Sequence, residues 1–122
     1  MWKLYAYSNC STCRTAVRAL AAAGIDPVVL PIREQPPTLD ELNRALIVVN
    51  GAVRRLFNTS GAEYRTQRVA ELLERLSPEE ALELLASNGN LVKRPFLVTP
   101  RTILVGYLAE VWRQEFSVNL KA

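Results

Sequence analysis

The stretch from Leu4 to Ile32 constrains the fold more than any other part of the chain. Leu4–Tyr7 is a short apolar run, and Pro27–Ile32 (Pro-Val-Val-Leu-Pro-Ile) is apolar almost throughout. Between them, Thr12–Ala23 places Cys13, Ala16, Val17 and Leu20, followed by Gly24, at helical spacing, with Arg14 and Arg18 on the opposite side. Apolar residues recurring every three or four positions mark a helix with one buried face. A short run without polar interruption suits a parallel strand covered on both sides. Strand, helix and strand within about 30 residues form a βαβ unit, and Gly24 is a natural helix C-cap. Ligands of open α/β sheets bind beyond the carboxyl ends of the strands, so the first strand-to-helix turn is where chemistry is expected.

That turn holds both cysteines of the protein, in Asn9-Cys10-Ser11-Thr12-Cys13-Arg14. A cysteine at a helix N-terminus meets unpaired backbone N–H groups and the positive end of the helix dipole, which favour its thiolate. A second cysteine one turn later is close enough to attack a mixed disulfide formed at the first. Cys10 is therefore the expected nucleophile and Cys13 the resolving thiol, itself on the apolar face of the helix. Cysteines three positions apart cannot staple distant segments, so they serve chemistry rather than scaffolding.

The chain has no histidine, which removes Cys-His and Ser-His catalysis and any Cys/His zinc site. Two cysteines alone do not complete a four-thiolate zinc site. A nucleophile here must be activated by a helix terminus or by fixed cations. Net charge is only +3, but twelve of the 15 basic residues are arginine. Residues 62–86 are acidic, with Glu63, Glu71, Glu74, Glu79, Glu80 and Glu83 against three arginines. The rest of the surface is correspondingly basic and suited to an oxyanion, a phosphate or an acidic protein. It lacks the Lys/Arg stripe with interleaved aromatics of a nucleic-acid binder, so direct nucleic-acid binding is not expected. No apolar run approaches the roughly 20 residues of a membrane span, and Met1-Trp2-Lys3 leads into a strand rather than a signal peptide. A cytoplasmic location is expected, with the dithiol kept reduced.

At 122 residues the chain is expected to form one domain with a core of its own. After Arg33-Glu34-Gln35-Pro36-Pro37, Thr38-Leu39-Asp40-Glu41 is a capping box opening a helix that Asn50-Gly51 closes. Val53–Phe57 is ambiguous between a short helix and an extended piece. Ser60-Gly61-Ala62-Glu63 reads as another capping box, ahead of a pattern peaking at Val69, Leu72, Leu73 and Leu76. Ser77-Pro78-Glu79-Glu80 supplies a cap, a proline at the first helical position and a glutamate at the third, before Ala81, Leu84 and Leu85. Beyond Arg94-Pro95, Phe96–Thr99 and Thr102–Val105 form a hairpin around Pro100-Arg101. Gly106 breaks into a last helix with Leu108, Val111, Trp112 and Phe116 on one face, and Ser117–Ala122 reads as a loose tail. With no apolar stripe left over, a monomer is expected.

A βαβ unit with Cys-x-x-Cys at its first turn, followed by a ββα unit that a proline introduces, resembles the thioredoxin/glutaredoxin fold. The match narrows through Asn9-Cys10-Ser11-Thr12-Cys13-Arg14, Arg33-Glu34-Gln35-Pro36-Pro37-Thr38, Leu56-Phe57-Asn58-Thr59-Ser60-Gly61 with Tyr64-Arg65, and Leu91-Val92-Lys93-Arg94-Pro95. These stretches look like the arsenate reductase/Spx family, and the resemblance spans residues 3–116. It implies an α/β, thioredoxin-like domain over residues 1–122. Its four-stranded mixed sheet, in the order β-α-β … β-β-α, would occupy about 3–35 and 90–116, with an all-helical insertion between strands 2 and 3 at about 38–88.

The resemblance also implies site residues. Pro95 takes the place of a cis proline that faces the cysteine pair. In the glutaredoxin-coupled arsenate reductases, a cysteine placed as Cys10 attacks arsenate, and arginines hold the oxyanion, one of them in the Arg-Pro pair matched by Arg94-Pro95. Two other such arginines align with Asn58 and Gly106, and a histidine preceding the cysteine is replaced near Ala6. Arg94 is thus the foremost anion ligand, and a guanidinium grips an oxyanion through paired hydrogen bonds. Ser11 and Thr12 would contribute backbone N–H groups. Arg14 stands either beside the pair or in water. Arg33, Arg54 and Arg55 are weaker candidates for the missing arginines, each more simply a solvated surface residue. Asn58-Thr59-Ser60 is most simply a helix-capping loop.

Two functions follow as expectations. One is a thiol oxidoreductase reducing arsenate, a related oxyanion or a disulfide. It would bind no cofactor and would be restored by glutathione, glutaredoxin or thioredoxin. The other is a Spx-like redox-sensing regulator, whose Cys10–Cys13 pair would switch its binding to the C-terminal domain of the RNA polymerase α subunit.

Overall fold

The computed structural model describes residues 1–121, and the side chains of residues 1–118. Strand β1 (Lys3–Ala6), helix α1 (Ser11–Ala22) and strand β2 (Val28–Pro31) form the βαβ unit, with β1 and β2 parallel and Leu4 opposite Val29. Helices α2 (Leu39–Val48), α3 (Ala62–Thr66), α4 (Val69–Leu73) and α5 (Pro78–Ser87) follow, with 3₁₀ turns at Val53–Leu56 and Gly89–Leu91. Strands β3 (Phe96–Val98) and β4 (Ile103–Val105) form the antiparallel hairpin, and α6 (Ala109–Lys121) ends the described chain. The sheet order is β2-β1-β3-β4, with β3 antiparallel to β1.

Side-chain alternation along the strands divides the core. Leu4, Leu97 and Leu104 face one way and pack with Ala16 and Leu20 of α1 and Trp112 and Phe116 of α6. Their chain neighbours Tyr5, Phe96, Val98 and Ile103 face the other way and pack with Leu42 and Ala45 of α2 and Ala81, Leu82 and Leu85 of α5. The helices between β2 and β3 are therefore the second layer of the molecule, without which half the sheet would be wet.

Several expectations are corrected. β2 is an edge strand, and Val28 and Val29 are 48% and 54% exposed. Its apolar run does not signal a strand buried on both faces. The predicted box at Ser60 does not form: Gly61 is the N-cap of α3 and no side chain caps it. Glu63 accepts instead from the side-chain amides of Asn88 and Asn90, both at 2.8 Å, so it has two partners where the box would give it one. The pattern behind it is split, because Arg68 is left-handed (φ 52°) between α3 and α4. On α5 the buried residues are Ala81, Leu82 and Leu85, with Leu84 half-buried. The face predicted for the last helix is half right. Trp112 and Phe116 are buried, whereas Leu108 and Val111 are exposed. Buried Glu115 completes that face by pairing with Arg101 of the hairpin turn at 3.0 Å. The predicted loose tail is helical through Lys121; Ala122 lies outside the described residues.

Both other capping boxes form as read, at Thr38/Glu41 and Ser77/Glu80. Val53–Leu56 resolves as a 3₁₀ turn. No described helix is long and apolar enough to cross a membrane.

Candidate active site

Cys10 is the N-cap of α1, in extended conformation, and its Sγ accepts the backbone N–H of Cys13 at 3.3 Å. The sulfur does what a Ser, Thr or Asp side chain does at other helix starts: it satisfies one of the four N–H groups that have no intrahelical partner. A thiolate at this position receives both that bond and the positive helix end. Ser11 and Thr12 form the exposed first turn. Cys10 is half-buried and Cys13 is buried, and both are free thiols. Burial pushes the Cys13 thiol up to about 12, reinforced by its hydrogen bond with Cys10, while the nearby Arg94 charge works the other way. The two thiols are therefore unlike: one at the surface on a helix end, one sealed beneath it.

Arg94 lies just before β3, the strand paired antiparallel with β1. The Arg94–Pro95 peptide is cis, and Pro95 is buried at the start of β3. Arg94 Nη2 donates to the Asn90 carbonyl at 2.9 Å, and its Nε is buried without a partner among the described residues. Its guanidinium lies 5.5 Å from the centroid of the Tyr7 ring, just upstream of the cysteines.

The loop supplying Asn90 is held by two tight contacts. Glu63 grips the side chains of Asn88 and Asn90. Gly89 lies so close to β2 that a Cβ there would fall 1.7 Å from the Ile32 carbonyl oxygen.

The chain from Leu56 to Asn58 pairs with Leu91 to Lys93. Lys93 N donates to Leu56 O and Asn58 N to Leu91 O, both at 2.8 Å. This pairing brings Arg54 and Arg55 beside Lys93 and Arg94. Together with Thr12 the four cations line a cavity of about 660 Å³, whose remaining wall includes Val49, Phe57, Val105, Tyr107 and Leu108.

The other candidates fall elsewhere. Arg33 stacks over Tyr7 at 4.8 Å and donates to its hydroxyl at 2.8 Å. Arg14 donates to the Ser8 carbonyl and lines a separate, mainly apolar groove with Cys13, Val17 and Val29. Asn58 does not line the cationic cavity, whereas Gly106 does. Gly106 has a left-handed φ of +73°, and a Cβ there would meet Lys93 Cε at 3.1 Å. The stem of Lys93 thus fills the space next to residue 106. Sequence reading missed Lys93, Tyr7, Glu63 and Asn90. Lys93 alone carried a signal, as the residue before Arg94-Pro95. Among the described residues no three of Cys, Asp, Glu and His converge to hold a metal ion.

A mixed sheet of order β2-β1-β3-β4, with Cys-x-x-Cys at the first βα turn and a cis proline opening β3, defines a thioredoxin-like fold. The chain belongs to the ArsC family, whose sequence profile matches residues 5–115. It is 38% identical over 93% of its length to YusI, an uncharacterized protein of Bacillus subtilis, and covers 96% of that protein. The arsenate reductase of Escherichia coli is 27% identical over 80% of this chain and 67% of its own. The regulatory protein MgsR of Bacillus subtilis is 26% identical over 84% and 80%. Among solved structures, an ArsC family related protein of Bacteroides fragilis superposes with a TM-score of 0.83 at 38% identity, covering 93% of this chain and 95% of that one.

Proposed function

We propose that the protein is a thiol-dependent oxidoreductase in which Cys10 attacks the substrate and Cys13 resolves the adduct. The observation that carries this reading is the pairing of unlike thiols: Cys10 at the helix start, accepting the Cys13 N–H, above a buried Cys13 whose own thiol is pushed up to about 12. With an arsenate-type oxyanion, the Cys10 thiolate bonds to the central atom and an oxygen leaves as water. Cys13 then gives up its proton and attacks Cys10 Sγ. The Cys10–Cys13 disulfide forms, and the oxyanion departs two electrons reduced. With a disulfide substrate, the same two steps release two thiols. An external thiol reductant, such as glutathione, glutaredoxin or thioredoxin, then reduces the protein disulfide by thiol–disulfide exchange. Arg94 is the anion ligand in this scheme, aided by the Ser11 and Thr12 N–H groups.

A second reading, a Spx-like redox switch acting on the RNA polymerase α subunit, is favoured by the likeness to MgsR. Asn58 and Gly106 at the places of two oxyanion arginines also favour it.

Arsenate-dependent NADPH consumption in a glutaredoxin- or thioredoxin-coupled assay, run beside capture of the α C-terminal domain, separates the two. The enzyme reading expects turnover that Cys10→Ser abolishes. Capture of the domain without turnover on arsenate or a disulfide would overturn it.

A further inference from the structure

Tyr7 follows β1 directly, three residues before Cys10, and two guanidinium groups meet its ring. Arg33 lies 4.8 Å and Arg94 5.5 Å from the ring centroid, both within the ~6 Å over which an aromatic face attracts a cation. Arg33 Nη1 also donates to the Tyr7 hydroxyl at 2.8 Å, so the ring is held at its tip as well. Neither arginine has a carboxylate partner among the described residues. Arg94 has little else to fix it: Nη2 bonds the Asn90 carbonyl, and the buried Nε has no partner among the described residues. The ring is therefore the second support of a guanidinium that has one hydrogen bond. Tyr7 is only half-buried, so packing alone does not account for it.

The same residue borders the resolving thiol. Tyr7 and Cys13 line one groove, and the charged groups around Cys13 are Cys10, Arg14 and Arg18 of α1, Glu34 beyond β2 and Arg94 before β3. Arg14 is turned to the Ser8 carbonyl. We propose that Tyr7 is a positioning residue of the resolving step: steadied by Arg33, its ring holds the Arg94 guanidinium where that charge favours the Cys13 thiolate. The inference rests on the thiol reading above and gives Arg94 a task beyond holding an anion. Before this step the Cys10 thiolate has attacked one sulfur of a disulfide, and a first thiolate has left and taken a proton from water. Cys13 then gives its proton to water and attacks Cys10 Sγ. The bond from Cys10 to the substrate half breaks, and a second thiolate leaves. The protein dithiol has lost two electrons and the substrate disulfide has gained them. The surroundings of Cys13 suit this order of events. Burial and Cys10 push its thiol up, whereas the Tyr7 main chain and the Arg94 charge pull it down. Once Cys10 is bonded to the substrate it carries no negative charge, and burial is the main force left against the Cys13 thiolate.

The test uses the reduced full-length protein and one equivalent of 2,2′-dithiodipyridine, an uncharged disulfide that needs no anion site. The first equivalent of 2-thiopyridone released marks attack by Cys10. The second, released at a rate independent of reagent concentration, marks resolution by Cys13. Tyr7→Leu is expected to leave the first phase within about twofold, to slow the second about tenfold at neutral pH and to raise the second's pH midpoint by about one unit. Tyr7→Phe keeps the ring and should recover most of the second-phase rate. Arg33→Ala, at an exposed position, should slow the second phase severalfold, and it carries the test if Tyr7→Leu does not fold. An unchanged second phase in Tyr7→Leu and Arg33→Ala would overturn the proposal. So would equal slowing of both phases with the midpoint in place, which is what a merely structural role produces, or a Tyr7→Phe variant as slow as Tyr7→Leu. If the wild type stops at one equivalent, Cys13 does not resolve the adduct, and the thiol reading falls together with this inference.

Discussion

Cys10 and Cys13 are separated by one helical turn, yet their environments are opposite. Cys10 takes the place of a capping side chain, so its sulfur faces backbone N–H groups at the helix start. Cys13 is turned inward and only 2% exposed, and burial makes its charged form unfavourable. The alkylation pattern of the reduced native protein follows. Iodoacetamide at neutral pH should modify Cys10 first, and peptide mapping should find Cys13 unmodified until the chain is denatured. Early labelling of Cys13 would contradict the geometry. A thiol raised to about 12 from its ordinary 9.0 favours the folded state through its neutral form. That contribution is complete below the ordinary value and is lost as pH climbs from there towards 12. The unlike settings of these two residues, one at the helix start and one on its apolar face, were readable from a three-residue spacing. The placement of Lys93 in the cavity wall and of Tyr7 beneath Arg94 was not, since a loop residue's neighbours are set by what folds against it.

At the scale of elements, local chemistry was readable wherever it had no competitor. The capping boxes at Thr38 and Ser77 are satisfied within four residues, and both form. The box at Ser60 fails because Glu63 finds Asn88 and Asn90, 25 and 27 positions away. The loop they hold also carries Gly89, pressed against the Ile32 carbonyl. Gly89→Ala should therefore force backbone apart and cost about 3 kcal/mol, at the upper end of overpacking effects. Thermal unfolding would read this as a fall of roughly 10 °C. The next residue, Asn90, anchors Arg94, so activity should fall further than stability alone explains. An unchanged melting temperature would show that the contact is not tight.

For the whole molecule, the joint between sheet and insertion is polar as well as apolar. Buried Glu41 of α2 pairs with Lys3 of β1 and accepts the Tyr5 hydroxyl at 2.7 Å and the Thr38 N–H at 3.0 Å. Burial alone would raise its carboxyl, but the Lys3 and Tyr5 contacts outweigh it and hold the value below the ordinary one. Its stabilisation is thus in full force above the ordinary carboxylate pKa and is lost as pH falls through the lowered value. A midpoint of unfolding that drops on acidification in the wild type should drop less in Glu41→Gln. Glu41→Ala should cost about 3 kcal/mol at neutral pH by leaving buried partners unpaired. Parallel acid profiles for wild type and Glu41→Gln would remove Glu41 from the account.

The sequence by itself determined the element order, the caps that close locally and the helix on which the cysteines sit. Each of these depends on residues a few positions apart, or on a pattern repeated along one element. Only the tertiary structure decided that β2 is an edge, that α2–α5 are half of the core, and that Arg54, Arg55, Lys93 and Arg94 share one cavity. That gathering depends on the pairing of residues 56–58 with 91–93, more than 30 positions apart. Local propensity carries no record of contacts at that range, because burial and pairing choose among alternatives that are equal along the chain. The same limit applies to the site. Cys10-Ser11-Thr12-Cys13 announces sulfur chemistry in four letters, while the four cations of the neighbouring cavity come from two separate segments brought together by the fold.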